Sequence, residues 1–386
     1  MGITTIQISP KLRKRLQAAF ETFLDRKIAG KYVGQWLQNL DNNSLPVPLR
    51  IQLATTLQNV LALEGGAEGE ALLHAMDGLC HGGGAPIVLV KGLPADKKYS
   101  RITALISQAF AQSLHPDHDN FIAHDSLTDA KCQDVPAAYK PVGIRHLHHD
   151  DNDISLLAGV DAGANPRSTP VFDGETLVDY LVERSFYTTG ETPEPCERET
   201  RRELFLTLLQ MPIWPLPSEE GTKLAKALNV LHGNYAPVLM PNPHYCTAEP
   251  GSARYRFIQV PFNHLQTRFL NFDKRLAPPQ WREQAQLLSD VFFRLSREPF
   301  KEFLGPVLGA GDLLIISNAQ AIHAGGPYLH SELPEEASRR RPRKVVAVDL
   351  NNNPVPYPVD PGDRWRKTII EKDIAEEKIQ SSTPPF

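Results

Sequence analysis

Residues 309–326 read GAGDLLIISNAQAIHAGG, and this stretch is the most informative one about the fold. A glycine-rich turn leads into the apolar run from Leu313 to Ile316, which predicts a buried strand over Asp312–Ser317. His323 follows a short polar connection and is itself followed by Gly325 and Gly326. Neighbouring glycines allow backbone and ligands to approach closely. A lone histidine after a buried strand is most often structural, so its meaning depends on what the fold brings near it.

A second unusual stretch, RHLHHDDND at residues 145–153, places three histidines and three aspartates within eight positions. On a strand, side chains two residues apart point to the same face. The pairs that can meet one ion are therefore His146 with His148, His148 with Asp150, and His149 with Asp151. A solvated polar turn between two strands is the plain alternative.

Imidazole combined with carboxylate suits Fe(II) or Zn(II). Two histidines and one carboxylate on one face leave three coordination positions open, as in non-haem iron oxygenases. The cluster supplies a histidine and an aspartate, so a third ligand must come from another part of the chain.

The remaining pattern predicts helices and strands in a definite order. Apolar residues at three- and four-residue steps predict helices through most of residues 10–80. The predicted strands cover 86–90, 142–149, 154–160, 236–240, 255–260, 312–317 and 344–350. The further predicted helices cover 101–113, 176–183, 199–209 and 279–297. Residues 115–124, with His115, His118 and His124, are predicted to form a surface loop.

This order predicts an α+β fold: a double-stranded β-helix (jelly-roll, cupin-like) core with flanking helices and an N-terminal helical region. The predicted divisions are an N-terminal helical region at 1–84, the core with a helical insertion at 85–350, and a C-terminal tail at 351–386. Strands are not followed by the glycine-rich loops that bind nucleotides.

Composition narrows the class of partner. The formal net charge is −4 and the pI about 6.4, which gives no support to nucleic-acid binding. The N-terminal residues contain no apolar run typical of a signal peptide or a membrane span. Four scattered cysteines without C-x-x-C spacing indicate reduced thiols, so we expect a cytoplasmic protein.

Together the two motifs resemble those of the clavaminate synthase-like and taurine dioxygenase-like Fe(II)/2-oxoglutarate-dependent oxygenases. The family's distal segment is Gly-Asp-Leu-Leu followed by apolar residues, Asn and then His, and Gly311–Asn318 with His323 is similar to it. Its proximal motif is His-x-Asp after an apolar residue, which resembles Leu147–Asp150. The resemblance spans roughly residues 86–350 and implies iron ligands His148, Asp150 and His323. A register shift to His149 and Asp151 stays open.

The same resemblance implies the cofactors and the reaction. An arginine beyond the distal histidine holds the far carboxylate of 2-oxoglutarate in this family; Arg340 matches best, with Arg343 second. Thr169 matches a threonine that binds the same cosubstrate. Fe(II), 2-oxoglutarate and O2 then imply hydroxylation or desaturation of an unactivated C–H bond, in a free or carrier-tethered amino acid. The turn after Asp150 is shorter than is usual in the family, and alanine follows His323 where glycine is commoner.

Two other functions remain open on the residues alone. One is a zinc-dependent hydrolase built on His146, His148 and Asp150, although that motif wants histidine where Asp151 stands. The other is a non-catalytic cupin-like binding protein, which would not need the cosubstrate arginine. Arg254 or Arg256 could pair a substrate carboxylate, but spacing does not select between them. Substrate identity, the position oxidised and the oligomeric state are not determined by the sequence.

Overall fold

The computed structural model describes residues 2–28, 30–33, 37, 45–95, 101–114, 121–128, 145–148, 153–210, 238–257, 279–295, 305–326, 329 and 344–350. At 121–128, and at most positions of 145–148 and 344–350, the description covers the backbone alone. The C-terminal tail predicted from residue 351 lies outside these residues.

The helices in the described residues fall into two groups, one before residue 115 and one after residue 173. They are α1 (Pro10–Leu24), α2 (Val47–Glu64), α3 (Gly66–His81), α4 (Arg101–Leu114), α5 (Gly174–Thr189), α6 (Pro195–Gln210) and α7 (Arg282–Leu295). Local interactions fix the start of α1. Ser9 caps α1 by accepting from the amide of Leu12 at 3.3 Å, and Pro10 occupies the first turn, where a missing N–H costs nothing.

The strands in the described residues are β1 (Ile3–Gln7), β2 (Lys27–Ile28), β3 (Lys31–Tyr32), β4 (Ile87–Lys91), β5 (Phe121–Thr128), β6 (Arg145–His148), β7 (Ile154–Asp161), β8 (Val171–Asp173), β9 (Leu239–Pro241), β10 (Tyr255–Phe257), β11 (Leu313–Ser317), β12 (Ala321–Gly325) and β13 (Lys344–Leu350). The large sheet has the order β1-β4-β11-β7-β13-β5, and the small sheet the order β6-β12-β8. β1 pairs with β4 in parallel, and the other neighbours in these two sheets are antiparallel.

The two sheets face one another, as the alternation of their buried residues shows. Along β4 and β11, Ile87, Leu89, Leu314 and Ile316 share one apolar cluster with Val171 and Ala321 of the small sheet. The alternate residues of the same strands, Val88, Val90, Leu313 and Ile315, join the cluster formed by α1 to α4. Because successive side chains of a strand point to opposite faces, the large sheet lies between the first group of helices and the small sheet.

The small sheet also has two distinct faces. Leu147, Phe172, Ile322 and Ala324 are buried in a cluster with α5, α6 and α7. Val171 and Ala321, on the other face, point toward the large sheet. The chain is therefore a four-layer mixed α/β structure of helices, large sheet, small sheet and helices.

Most predicted elements are confirmed within the described residues. The structure adds β2 and β3 inside the stretch predicted to be mostly helical, and it adds the unpredicted strands β8 and β12. Two further differences concern β1 and β5. The N-terminal segment, predicted to be polar and then helical, begins with β1, which completes the edge of the large sheet. The loop predicted at 115–124 is wrong for its last part, because His124 lies in β5, paired with Ala347 of β13. Residues 115–120 lie outside the described residues. In the part of the chain that is described, no helix is both long enough and apolar enough to cross a membrane.

Candidate metal and cosubstrate site

β12 carries His323 between the two sheets. The histidine is 8% exposed and lies two residues after Ala321, whose side chain faces the large sheet. The same alternation places His323 on that inner face. Its strand follows β11 after a turn of only three residues, Asn318 to Gln320, so the predicted apolar strand leads directly to the histidine.

That turn is held by buried polar contacts. Asn318 is fully buried and donates from Nδ2 to the hydroxyl of Ser155 on β7 at 3.1 Å. Gln320, 1% exposed, donates from Nε2 to the carbonyl of Gly82 at 2.6 Å. Buried side-chain hydrogen bonds of this kind fix a backbone segment, because breaking one leaves a desolvated group unsatisfied. The start of β12 is thus anchored to both the large sheet and the end of α3.

His148 lies directly opposite His323. Their α-carbons are register partners in the antiparallel pairing of β6 with β12. Register partners in an antiparallel pair occupy the same face of a sheet, with β-carbons roughly 4.5–5.5 Å apart. Two of the three sequence-predicted iron ligands, separated by 175 residues in the chain, are therefore brought to adjacent positions. On its other side, His323 has Val171 of β8 as its register partner.

The register between β6 and β12 is irregular just beyond this pair. The next pairing is Gly325 with Arg145, and the register shifts between the two pairs. A regular ladder would have matched Gly325 with His146, so the alternation that would put His146 on the face of His148 is interrupted. Leu147 is fully buried on the opposite face, against the helices of the second group.

Thr169, predicted to bind the cosubstrate, lies beside β12. Its amide donates to the carbonyl of Pro306 at 2.8 Å, and its side chain is buried. Ala324 donates to Pro170 and Gly326 donates to Ser168, so the ladder between β8 and β12 continues past the strand ends and matches Thr169 with Gly325.

The remaining predicted ligands lie outside the described residues. These are Asp150, Arg340 and Arg343, together with the alternatives His149 and Asp151. Among the described residues, no three histidine, cysteine, aspartate or glutamate side chains form a metal-binding group. For His146 and His148 the backbone is described and the side chains are not.

Arg254, one of two arginines considered for a substrate carboxylate, is exposed and engaged elsewhere. Its Nε lies 3.2 Å from the Tyr245 hydroxyl and 3.6 Å from a carboxylate oxygen of Glu175 at the start of α5. The hydrogen bond to Tyr245, followed by the charge of Glu175, raises the pKa of this arginine. These partners place it on the outer helical side of the small sheet. Arg256, the other candidate, is half-buried.

A groove of about 700 Å³ lies on the helical side of the molecule. Its lining comes mainly from α5, α6 and α7 and includes Glu191, Glu197, Glu283 and Arg201. Those helices pack on the face of the small sheet opposite His323. The groove is therefore separate from the candidate site around His323.

Comparison with known proteins gives structural likenesses only. No family model matches the chain, and no curated protein matches it in sequence. The structure of the non-heme iron oxygenase OrfP with Fe is similar at a TM-score of 0.43 and 12% identity, over 90% of this chain and 94% of that one. OrfP with Fe and alpha-ketoglutaric acid gives the same values. Asparagine oxygenase (AsnO) is similar at a TM-score of 0.43 and 11% identity, over 90% and 92%. Likenesses at this level do not assign an activity to this chain.

Proposed function

We propose that this chain is an Fe(II)/2-oxoglutarate-dependent dioxygenase that hydroxylates or desaturates an unactivated C–H bond of a small substrate. The observation that carries the proposal is the register pairing of His148 with His323. The pairing brings together two histidines that are 175 residues apart in the sequence and that lie in the two motifs carrying the family resemblance. The pairing also favours His148 over His149.

The donor set fits iron. Two histidines at register-partner positions, with a carboxylate residue two positions after one of them in the sequence, fit a two-histidine, one-carboxylate iron site. In this proposal His148, Asp150 and His323 hold the metal. Iron, 2-oxoglutarate and O2 together supply the oxidation of the substrate's C–H bond. Because Asp150 provides the carboxylate, hydroxylation or desaturation is proposed rather than halogenation.

The protein's own contribution is orientation and exclusion of water. His323 is 8% exposed and its register partner Val171 is 2% exposed, so the inner face around the histidine is shielded from solvent. A low-dielectric surrounding strengthens the contacts of charged ligands. Thr169 is proposed to donate its hydroxyl to the cosubstrate. Arg340, or failing that Arg343, is proposed to hold the far carboxylate in a bidentate pair.

The finer architecture belongs to the same proposal. Two facing sheets that bring strands distant in sequence side by side fit a double-stranded β-helix at residues 85–350. An N-terminal helical region at 1–84, which also contributes β1, and a tail at 351–386 complete the proposed organisation. The proposed substrate is a free or carrier-tethered amino acid, and the proposed location is the cytoplasm.

Anaerobic reconstitution tests the proposal. The wild-type protein is loaded with Fe(II) and titrated with 2-oxoglutarate, and a weak visible charge-transfer band is expected because a 2-oxo acid chelates iron through its keto-acid end. The band should be absent in His323→Ala. Hydrolysis that depends on zinc and ignores 2-oxoglutarate would establish the zinc hydrolase instead. Folded protein that binds neither metal nor 2-oxoglutarate would leave a cupin-like binding protein.

A further inference from the structure

Arg167 lies where the segment before β8 runs beside the end of β12. Three backbone hydrogen bonds join the two segments: Ala324 to Pro170 at 3.0 Å, Gly326 to Ser168 at 3.1 Å and Leu329 to Pro166 at 2.9 Å. The first two extend the antiparallel ladder in which His323 and Val171 are register partners, whereas the third, between Leu329 and Pro166, lies one residue out of that register. Residues 167, 169 and 171 therefore alternate onto one face of this ladder, the face that carries His323.

The guanidinium of Arg167 occupies the place of a missing side chain. A β-carbon built on Gly325 would collide with Nη2 of Arg167 and would lie 3.1 Å from its Cζ. The Nε of Arg167 donates to the carbonyl of Gly326 at 2.6 Å, which fixes the plane of the group against β12. Gly325 thus leaves room for the guanidinium, and an added β-carbon would displace it.

The position of Gly325 locates this charge relative to the metal site. Gly325 is two residues after His323, so it points to the same face and its α-carbon lies about 6.6 Å farther along the strand, at about 3.3 Å per residue. The guanidinium fills the side-chain space of Gly325 and so stands on the His323 face. The buried Thr169 belongs to the same face. This face therefore carries the imidazole of His323, the hydroxyl of Thr169 and the guanidinium of Arg167.

We propose that Arg167 binds a carboxylate of the small molecule that lies along this face, with one end at His323. The inference rests on the proposed function, which supplies two molecules with such a group. One is 2-oxoglutarate, whose far carboxylate Arg167 would share with Arg340, and the other is an amino-acid substrate. A guanidinium is a planar fork that pairs a carboxylate in two parallel hydrogen bonds, and it remains charged at any working pH. Its fixed plane lowers the ordering that binding would otherwise require.

The test compares two 2-oxo acids that differ only in the far carboxylate. Fe(II)-loaded wild type and Arg167→Gln are titrated anaerobically with 2-oxoglutarate and with 2-oxopentanoate, and the charge-transfer band gives each Kd. Loss of a charged hydrogen-bond pair should lower the preference for 2-oxoglutarate by about 10- to 100-fold. Arg167→Lys, which keeps the charge without the fork, should fall between. Gly325→Ala leaves the arginine in the chain but fills its place, and should lower the preference in the same direction.

A second arm covers the substrate. Each protein with Fe(II) and 2-oxoglutarate is exposed to the twenty L-amino acids, and perturbation of the band reports binding near the iron. If Arg167→Gln keeps the 2-oxoglutarate preference but no longer responds to an amino acid that perturbs the wild type, the carboxylate belongs to the substrate. Arg340→Gln is the comparison variant for the cosubstrate arm.

Two failures are distinguishable. A band that forms in Arg167→Gln with unchanged preference and unchanged amino-acid response would overturn the role of Arg167 while leaving the oxygenase intact. Absence of a band in the wild type with either 2-oxo acid would overturn the proposed function itself. Thermal unfolding of each variant, together with its affinity for 2-oxopentanoate, separates a lost carboxylate contact from a damaged fold.

Discussion

Replacing Gly311 by alanine should destabilise the protein through the turn that leads into β11. Gly311 has φ +85°, a backbone conformation that residues other than glycine rarely adopt. An alanine there would also drive its β-carbon into the carbonyl oxygen of Leu93. The turn cannot easily move away, since Gly311 accepts from the amide of Leu93 at 2.9 Å and donates to the carbonyl of Gly159 at 3.2 Å.

The expected loss has two parts. The left-handed conformation costs about 1–2 kcal/mol for a residue with a β-carbon, and overpacking against fixed backbone adds about 1–3 kcal/mol. The free energy of unfolding should therefore fall by about 2–5 kcal/mol. Gly190, with φ +71° and no atom within 4 Å of a built β-carbon, is the matched control. Gly190→Ala should cost only the conformational part, about 1–2 kcal/mol.

Urea unfolding followed by tryptophan fluorescence measures both variants against the wild type. The midpoint should fall clearly further for Gly311→Ala than for Gly190→Ala at similar slope, because the slope reports the surface exposed on unfolding. Equal losses in the two variants would refute the close packing of Gly311 against Leu93, and with it the account of how β11 is set into the sheet.

Two further predictions concern the thiol of Cys80 and the helix cap Asp173. Burial, followed by the charge of Asp77, raises the pKa of Cys80 from 9.0 to about 12, and its thiol donates to the carbonyl of Leu114 at 3.1 Å. At pH 8 iodoacetamide should modify the exposed Cys196 and spare Cys80 until urea unfolds the chain, as read by mass spectrometry. Between pH 9 and 12 the unfolded thiol ionises and the folded one does not, so stability should fall through that window, and less so in Cys80→Ala. Asp173 caps α5 by accepting a hydrogen bond from the amide of Thr176 at 2.7 Å. Asp173→Ala should therefore lower the free energy of unfolding, measured in urea, by about 0.5–2 kcal/mol, and Asp173→Asn by much less. Equal losses in the two variants would argue against the cap.

The sequence predicted well the elements whose signal is local. The apolar run at Leu313–Ile316 needs no partner to be recognised as a buried strand, and the amphipathic pattern at 282–295 identifies α7. β1 was missed because Ile3–Gln7 is mostly polar, and what makes it a strand is its pairing with β4, some 84 residues away. β5 was missed for a similar reason: its partner β13 lies more than 200 residues farther along the chain.

The candidate site divides in the same way. Motifs identified His323 and the Leu147–Asp150 frame, but periodicity could not decide whether His148 or His149 meets His323, because register is set by pairing across the sheet. Thr169 was proposed through resemblance, and the structure places it opposite Gly325. The proposed role of Arg167 was not predicted from the sequence. The only signal in the sequence was a glycine at position 325, and its meaning depends on which side chain fills the space above it.

The proposal that His148 binds the iron is tested most directly by comparing two variants, His148→Ala and His149→Ala. The quantity compared is their affinity for Fe(II), measured anaerobically with 2-oxoglutarate. The two variants remove the same side chain at adjacent positions, and only His148 is the register partner of His323. His148→Ala should weaken Fe(II) binding by more than roughly 100-fold, since loss of a mere supporting residue already costs 10- to 100-fold. His149→Ala should bind Fe(II) as the wild type does. Retained Fe(II) binding in His148→Ala, together with its loss in His149→Ala, would contradict the assignment of His148 as an iron ligand.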